Sequence, residues 1–217
     1  ASNGDLFFYG GYGLDENGTV GTLADLWMYD ISLGQWLHYY GAKTANQALS
    51  VSGEYPGGLF KPALMVDFAE LNGYQIHSMK FFGGGKSVYS DGDFWVNNIN
   101  NTYNLSWIVN FGGSPSVSYL AGDDNPAAAG GGCPLSPSDR NGMAYARKGV
   151  DHYILGGFKE DPSLSQGSSL NGYAHLDFWR YNASSCWVQL SAPQNFGYSG
   201  SAGNSLFEMN GSIYFYG

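Results

Sequence analysis

Four times in 217 residues an apolar, aromatic run ends on glycine. The runs are Leu6-Phe7-Phe8-Tyr9-Gly10-Gly11, Met79-Lys80-Phe81-Phe82-Gly83-Gly84, His152-Tyr153-Ile154-Leu155-Gly156-Gly157 and Ser212-Ile213-Tyr214-Phe215-Tyr216-Gly217. After each of the first three comes a Gly/Ser-rich loop and a second short run. These second runs are Asp25-Leu26-Trp27-Met28-Tyr29-Asp30, Asp93-Phe94-Trp95-Val96-Asn97-Asn98 and Asp177-Phe178-Trp179-Arg180-Tyr181-Asn182. A further tryptophan follows each one, at Trp36, Trp107 and Trp187. Two successive residues without Cβ admit positive φ and close backbone approach, so the pair marks where the chain leaves a crowded interior. The aromatic runs suit pleated surfaces, and no segment keeps a 3.6-residue apolar period long enough for a helix. Short strands separated by turn signals predict an all-β chain.

Repetition of a four-strand unit predicts the blades of a β-propeller. With strands lettered a to d, b is the run ending in Gly-Gly, c holds Asp-x-Trp and d holds the later Trp. Strand a precedes b, at Pro62 to Ala69, Gly142 to Arg147 and Ser205 to Met209. The expected layout is strands b to d of blade one over about 5–38, blade two over about 61–111, blade three over about 141–191 and the start of a fourth over about 204–217. That makes three four-stranded antiparallel blades, the first lacking strand a, plus a partial fourth. Strand b stands both first and last, so the ends do not complete one another, and open edges invite pairing with another chain. The expectation is a segment of a longer polypeptide whose remainder completes the ring. Closure by a second chain is the alternative.

These residues resemble the kelch-repeat family, in its long-repeat extracellular variety. Residues 6–36 follow its pattern of Phe-Gly-Gly-Tyr-Gly, then Asn-Asp-Leu-Trp-x-Tyr-Asp, then Gly-x-Trp, with Ala24 where Asn is usual. Glu54-Tyr55-Pro56-Gly57-Gly58 is similar to the variety's Pro-Gly element before strand a. Asn97 stands where Tyr is usual, and the Pro-Gly element is missing before blades three and four. The resemblance implies structural roles for Gly10, Gly11, Trp27, Trp36, Gly83, Gly84, Trp95, Trp107, Gly156, Gly157, Trp179 and Trp187.

Charge and composition narrow the partners. Eighteen acidic residues against nine basic ones give a net charge of -9, which repels a phosphate backbone, so nucleic acid is excluded as a natural ligand. No apolar run approaches the roughly 20 residues that span a bilayer, so no direct membrane insertion is expected. The chain shows neither an initiating Met nor a signal-peptide pattern and reads as a mature or excised segment.

Five Asn-x-Ser/Thr sequons, at Asn17, Asn100, Asn104, Asn182 and Asn210, are candidate N-glycosylation sites. Cys133 and Cys186 are the only cysteines. A disulfide between them would pin the insertion before blade three to its strand d, while two reduced thiols are the other reading. His38, His77, His152 and His175 have no metal-ligand spacing, and His77 and His152 read as packing or hydrogen-bonding residues. Asp25, Asp93 and Asp177 recur at one blade position, which predicts a carboxylate capping a turn or bonding a neighbouring strand. Gly122-Asp123-Asp124-Asn125-Pro126 lacks EF-hand spacing and reads as a solvated turn.

The function expected is therefore a non-catalytic binding or structural module of a secreted or cell-surface glycoprotein. Its partners would be proteins or glycans of an extracellular assembly, with no cofactor. The insertions over 38–60, 108–140 and 158–174 carry Tyr39, Tyr40, Tyr119 and Tyr173, side chains suited to such contacts. The alternative is part of a kelch-propeller enzyme, such as a copper radical oxidase resembling galactose oxidase. That chemistry needs a Tyr crosslinked to Cys and two His ligands. Neither cysteine has a recognisable setting for it, and glycosidase-like sites would need more Arg than Arg140, Arg147 and Arg180.

Overall fold

The computed structural model describes residues 6–48, 52–53, 57–68, 76–87, 99–102, 106–110, 116–121, 137–160, 172–182, 186–191 and 203–217. Among these residues the chain is all β, with no helix. Sheet 1 is β1 (Leu6–Leu14), β2 (Val20–Asp30) and β3 (Gln35–Ala42) in that order. Sheet 2 contains β4 (Ser52–Gly53), β5 (Ala63–Phe68), β6 (Ile76–Phe82), β9 (Ser106–Asn110) and β10 (Ser116–Ala121), ordered β4-β10-β9-β6-β5. Between its strands lies the hairpin β7 (Gly85–Ser87) and β8 (Ile99–Thr102). Sheet 3 is β11 (Ala144–Lys148), β12 (Asp151–Leu155), β15 (Phe178–Tyr181) and β16 (Trp187–Leu190), with the hairpin β13 (Phe158–Glu160) and β14 (Gly172–Ala174) inserted. Sheet 4 is the hairpin β17 (Ser205–Met209) and β18 (Ser212–Tyr216). Every pairing within these sheets is antiparallel.

Register aligns the sheets with one another. Tyr9, Phe82 and Leu155 each close the run before Gly-Gly, and they pair with Leu26, Ser106 and Phe178. One step back, Phe8, Phe81 and Ile154 pair with Trp27, Trp107 and Trp179. This corrects the expected strand order of sheet 2. Trp107 occupies the third strand rather than the fourth, and the fourth is Ser116–Ala121, beyond the boundary at 111. Trp95 and the rest of 93–98 lie outside the described residues. The physical reason is register: β6 selects as its neighbour the run that puts Trp107 opposite Phe81, whatever short motif precedes it. Trp27, Trp107 and Trp179 are also more evenly spaced than a series through Trp95. Sheet 2 has a fifth strand, β4, drawn from the 38–60 insertion.

Both glycines of each pair adopt positive φ, at 65° and 111° for Gly10 and Gly11, 68° and 95° for Gly83 and Gly84, and 67° and 105° for Gly156 and Gly157. The bend brings the second amide to the segment leading into the next sheet. Gly11 N donates to Leu59 O at 2.8 Å, and Gly84 N donates to Arg140 O at 2.8 Å. Leu59 and Arg140 each lie four residues ahead of a first strand, β5 or β11. Two residues ahead of the first strands stand Lys61, Gly142 and Gly203, all at positive φ. Gly142 N donates to Lys61 O at 3.1 Å, and Gly203 N donates to Gly142 O at 2.8 Å. A line of backbone bonds therefore joins sheet 2 to sheet 3 and sheet 3 to sheet 4.

Side chains fill the same junctions. Tyr9 of sheet 1 meets Phe81 of sheet 2 edge-on at 4.6 Å, and its hydroxyl donates to Gly57 O at 2.7 Å. Ala63, Met65 and Phe82 of sheet 2 pack with Ile154, Trp179, Tyr181 and Trp187 of sheet 3. Ala144, Ala146 and Leu155 of sheet 3 pack with Leu206 of sheet 4, and Phe215 joins them. Burying each such large side chain contributes about 2 kcal/mol. β11 touches β5 on one side and β17 on the other, so the first strands stand next to one another.

The glycine pair gives a direct test. A Cβ on Gly10 would lie 2.5 Å from Leu59 O, whereas one on Gly18, also at positive φ, meets nothing within 4 Å. Gly10→Ala should cost about 3 kcal/mol in urea unfolding, against about 1 kcal/mol for Gly18→Ala. Equal losses would contradict the close-approach role.

Candidate functional site

The polar centre of the described residues sits at the end of sheet 3, where β12 leaves through Gly156-Gly157 and the chain enters β11. Arg140 is fully buried there. Its Nε donates to Ser138 O at 2.9 Å and its Nη1 to Gly156 O at 3.1 Å. Nη2 donates to Ser138 Oγ at 3.0 Å and to Asp177 Oδ2 at 2.8 Å, while Nη1 also bonds Asp177 Oδ1. All five guanidinium donors are thereby used. Asp177 Oδ2 accepts a further bond from Trp179 Nε1 at 2.7 Å. Burial alone would raise the Asp177 pKa, but the bonds and charge of Arg140 outweigh it and hold the carboxyl below its ordinary value. Removing either partner of such a buried pair costs about 3–5 kcal/mol.

His175 flanks the pair, with Nε2 3.4 Å from Ser138 Oγ and its backbone N–H donating to Gly157 O at 2.8 Å. Burial first, and the Arg140 charge second, lower its pKa to about 4. The imidazole is neutral at physiological pH. Lys159 Nζ and Asp139 Oδ1 close the group at 2.5 Å. Ser138, Arg140 and Asp177 thus satisfy one another, and the cluster locks the lead-in to β11 against the start of β15. Among the described residues no three His, Cys, Asp or Glu side chains converge in a manner that could hold a metal.

The recurrent aspartate accepts the indole N–H two residues on: Asp177 from Trp179, and Asp25 from Trp27 at 2.6 Å. Asp93 lies outside the described residues. Trp187 is buried at 3% exposure against Phe82, while its counterpart Trp36 in sheet 1 is 51% exposed. His152 is buried, with Nδ1 3.0 Å from the Tyr145 hydroxyl, in keeping with a hydrogen-bonding role. His38 packs edge-on to Trp27 at 5.2 Å, and the His77 side chain is outside the described residues.

Asn17 is exposed in the β1–β2 turn, where Asp15 Oδ1 accepts the Asn17 and Thr19 amides, each at 2.8 Å. Asn210 and Gly211 form the exposed β17–β18 turn at φ 52° and 74°, a type I′ geometry. Asn182 Oδ1 accepts the Cys186 amide at 3.2 Å, so it shapes its own turn. Asn100 lies in β8, and Asn104 falls outside the described residues. No described cysteine is a free thiol, and Cys133 is outside the described residues. Tyr39 is partly exposed in β3, and Tyr119 lies in β10. Sequence reasoning noted Arg140 only as one of three arginines. The available signal was its place four residues before a first strand, where sheet 2 has Leu59.

No protein-family model matches the chain, and no curated protein matches it. A solved structure titled "Structure of YjhT" is similar over 98% of this chain, with a TM-score of 0.57 and 14% identity. The chain spans 56% of that structure's length. At this identity the likeness is one of fold.

The lowered His175 pKa sets a pH window. Between about 6.5 and about 4 the unfolded chain takes up a proton that the folded imidazole refuses, so stability falls as pH drops through that range. The loss from protonating Asp177 comes lower, below the ordinary carboxylate value of 3.8. His175→Gln should flatten the fall between pH 6.5 and 4 in urea titrations. An unchanged slope in the variant would contradict this assignment.

Proposed function

We propose that the chain is a segment of a kelch-type β-propeller in a secreted or cell-surface glycoprotein, acting as a non-catalytic binding or structural module. The observation that carries the reading is the recurrence of one junction. Gly-Gly bends, a left-handed residue before each first strand, and an aromatic or aliphatic pair recur from sheet to sheet. Adjacent first strands β5, β11 and β17 fit an axis shared by successive blades. The likeness to just over half of the YjhT structure fits a part of a larger ring.

Binding rather than catalysis is favoured by how the charges are spent. Arg140 and Asp177 serve each other, and all five guanidinium donors are used within the protein. Tyr39 and Tyr40 of β3, Tyr119 of β10 and Tyr173 of β14, which the structure places in strands rather than loops, would then meet protein or carbohydrate partners. In this reading Cys133 pairs with Cys186, tying the 108–140 insertion to sheet 3 in an oxidising compartment. Asn17 and Asn210, exposed in tight turns, are the sequons best placed to carry glycans.

The test is the mass of the protein from its native source before and after enzymatic removal of N-glycans. A mass well above 23.4 kDa that falls on treatment is expected. An unglycosylated mass near 23.4 kDa would overturn both the segment and the glycoprotein readings.

A further inference from the structure

Asparagine followed by glycine is chemically labile, because the glycine nitrogen can reach the side-chain carbonyl with no Cβ in its way. The sequence holds six such pairs, and three of them lie on described residues: Asn17-Gly18, Asn141-Gly142 and Asn210-Gly211. Asn3, Asn72 and Asn171 are outside the described residues. The fold gives the three attacking amides different partners. Gly18 N donates to Asp15 O at 3.0 Å, and Gly142 N donates to Lys61 O at 3.1 Å. Gly211 N donates instead to a carboxylate oxygen, Glu208 Oε1, at 2.6 Å. A backbone carbonyl only holds the amide proton, whereas a carboxylate can take it as a general base.

Room and exposure sort the same sites. Asn141 is 3% exposed, and Gly142 belongs to the line of backbone bonds between sheets. Asn17 and Asn210 are both exposed, and a Cβ on Gly18 or Gly211 would meet nothing within 4 Å. The amide partner is therefore what distinguishes Asn210 from Asn17. The open setting of Asn210 does not come from its place near the last residue. The corresponding turn of sheet 3, Gly149-Val150, is exposed too, although β11 has β5 on one side and β17 on the other.

We infer that Asn210 is a site of spontaneous deamidation, with Glu208 as the base. Gly211 N gives its proton to Glu208 and bonds to Asn210 Cγ. The Cγ–Nδ2 bond then breaks, and Nδ2 takes up that proton and leaves as ammonia. A succinimide ring remains, and water opens it at either carbonyl to leave aspartate or isoaspartate at this position. Isoaspartate puts one more carbon into the main chain of a tight turn, which disturbs the Met209–Ser212 pairing that closes β17 on β18. Either acid also sets a second negative charge beside Glu208. An N-glycan on Asn210 would occupy the leaving nitrogen and block the reaction, but the inference requires neither the glycoprotein nor the kelch reading.

The test uses the 217-residue protein made without glycans and incubated at neutral pH. Aliquots are digested and mapped by mass spectrometry, and isoaspartate is scored with an isoaspartyl methyltransferase. Asn210 should convert about tenfold or more faster than Asn17, while Asn141 stays intact in the folded protein. Glu208→Gln keeps an oxygen for the Gly211 amide but removes the base. It should slow Asn210 to the rate of Asn17 and leave Asn17 itself unchanged. In urea the three sites should convert at similar rates. The comparison among sites lies within one chain, so it stands even where the variant folds poorly. Conversion at Asn210 no faster than at Asn17, or indifferent to Glu208→Gln in a folded variant, would overturn the proposal. A preference for Asn210 that persists in urea would trace to local sequence and would overturn it as well.

Discussion

The structure depends on a backbone conformation that side chains resist. Three Gly-Gly pairs hold both residues at positive φ, and at Gly10-Gly11 and Gly83-Gly84 this turns the chain so sharply that the second amide reaches a carbonyl of the following sheet's lead-in. At Gly10 the approach leaves no room for a Cβ. The bend also lets one sequence run serve two hairpins, since the strands on either side of Gly83-Gly84 and Gly156-Gly157 belong to different sheets. In sheet 1 the same bend is absorbed as a bulge between Tyr9 and Gly11. Apolar packing then follows from alternation: of two neighbouring residues before the bend, one faces the preceding sheet and the other the following one.

Low charge makes the few ion pairs consequential. Arg140 is buried only because every donor has an acceptor, and those acceptors come from its own lead-in, the Gly-Gly bend and the start of β15. One side chain thus reports whether three separate segments are in place. Its carbonyl meanwhile receives Gly84 of sheet 2. Sheet 2 reaches a comparable geometry with buried Leu59, so the junction accepts either an apolar or an ionic filling. Mixed fillings, such as a carboxylate without its guanidinium, are the unfavourable combination.

Much of the fold was legible in the sequence because glycine at positive φ cannot be replaced cheaply, and that leaves a visible mark. The first strands at Ala63–Phe68, Ala144–Lys148 and Ser205–Met209 fall where the sequence placed them. Sheet 2 was misread because Asp93-Phe94-Trp95 copies the local motif, while register with β6 is a long-range choice that no local motif records. The arginine–aspartate pair was invisible for the same reason: its partners are 37 residues apart. The exposure of Trp36 against the burial of Trp187 likewise depends on whether a neighbouring sheet covers that face, which composition does not encode.

The central claim, that backbone bonds between lead-in segments and Gly-Gly bends join one sheet to the next, is tested most directly by native-state amide hydrogen exchange. Gly11, Gly84 and Gly142 should exchange as slowly as the amides of the buried strand β12, because opening them requires the sheets to part. Exchange at the rate of Gly34, whose amide closes an exposed turn on Asp30 O, would show that the sheets are held by side-chain packing alone and would contradict the account.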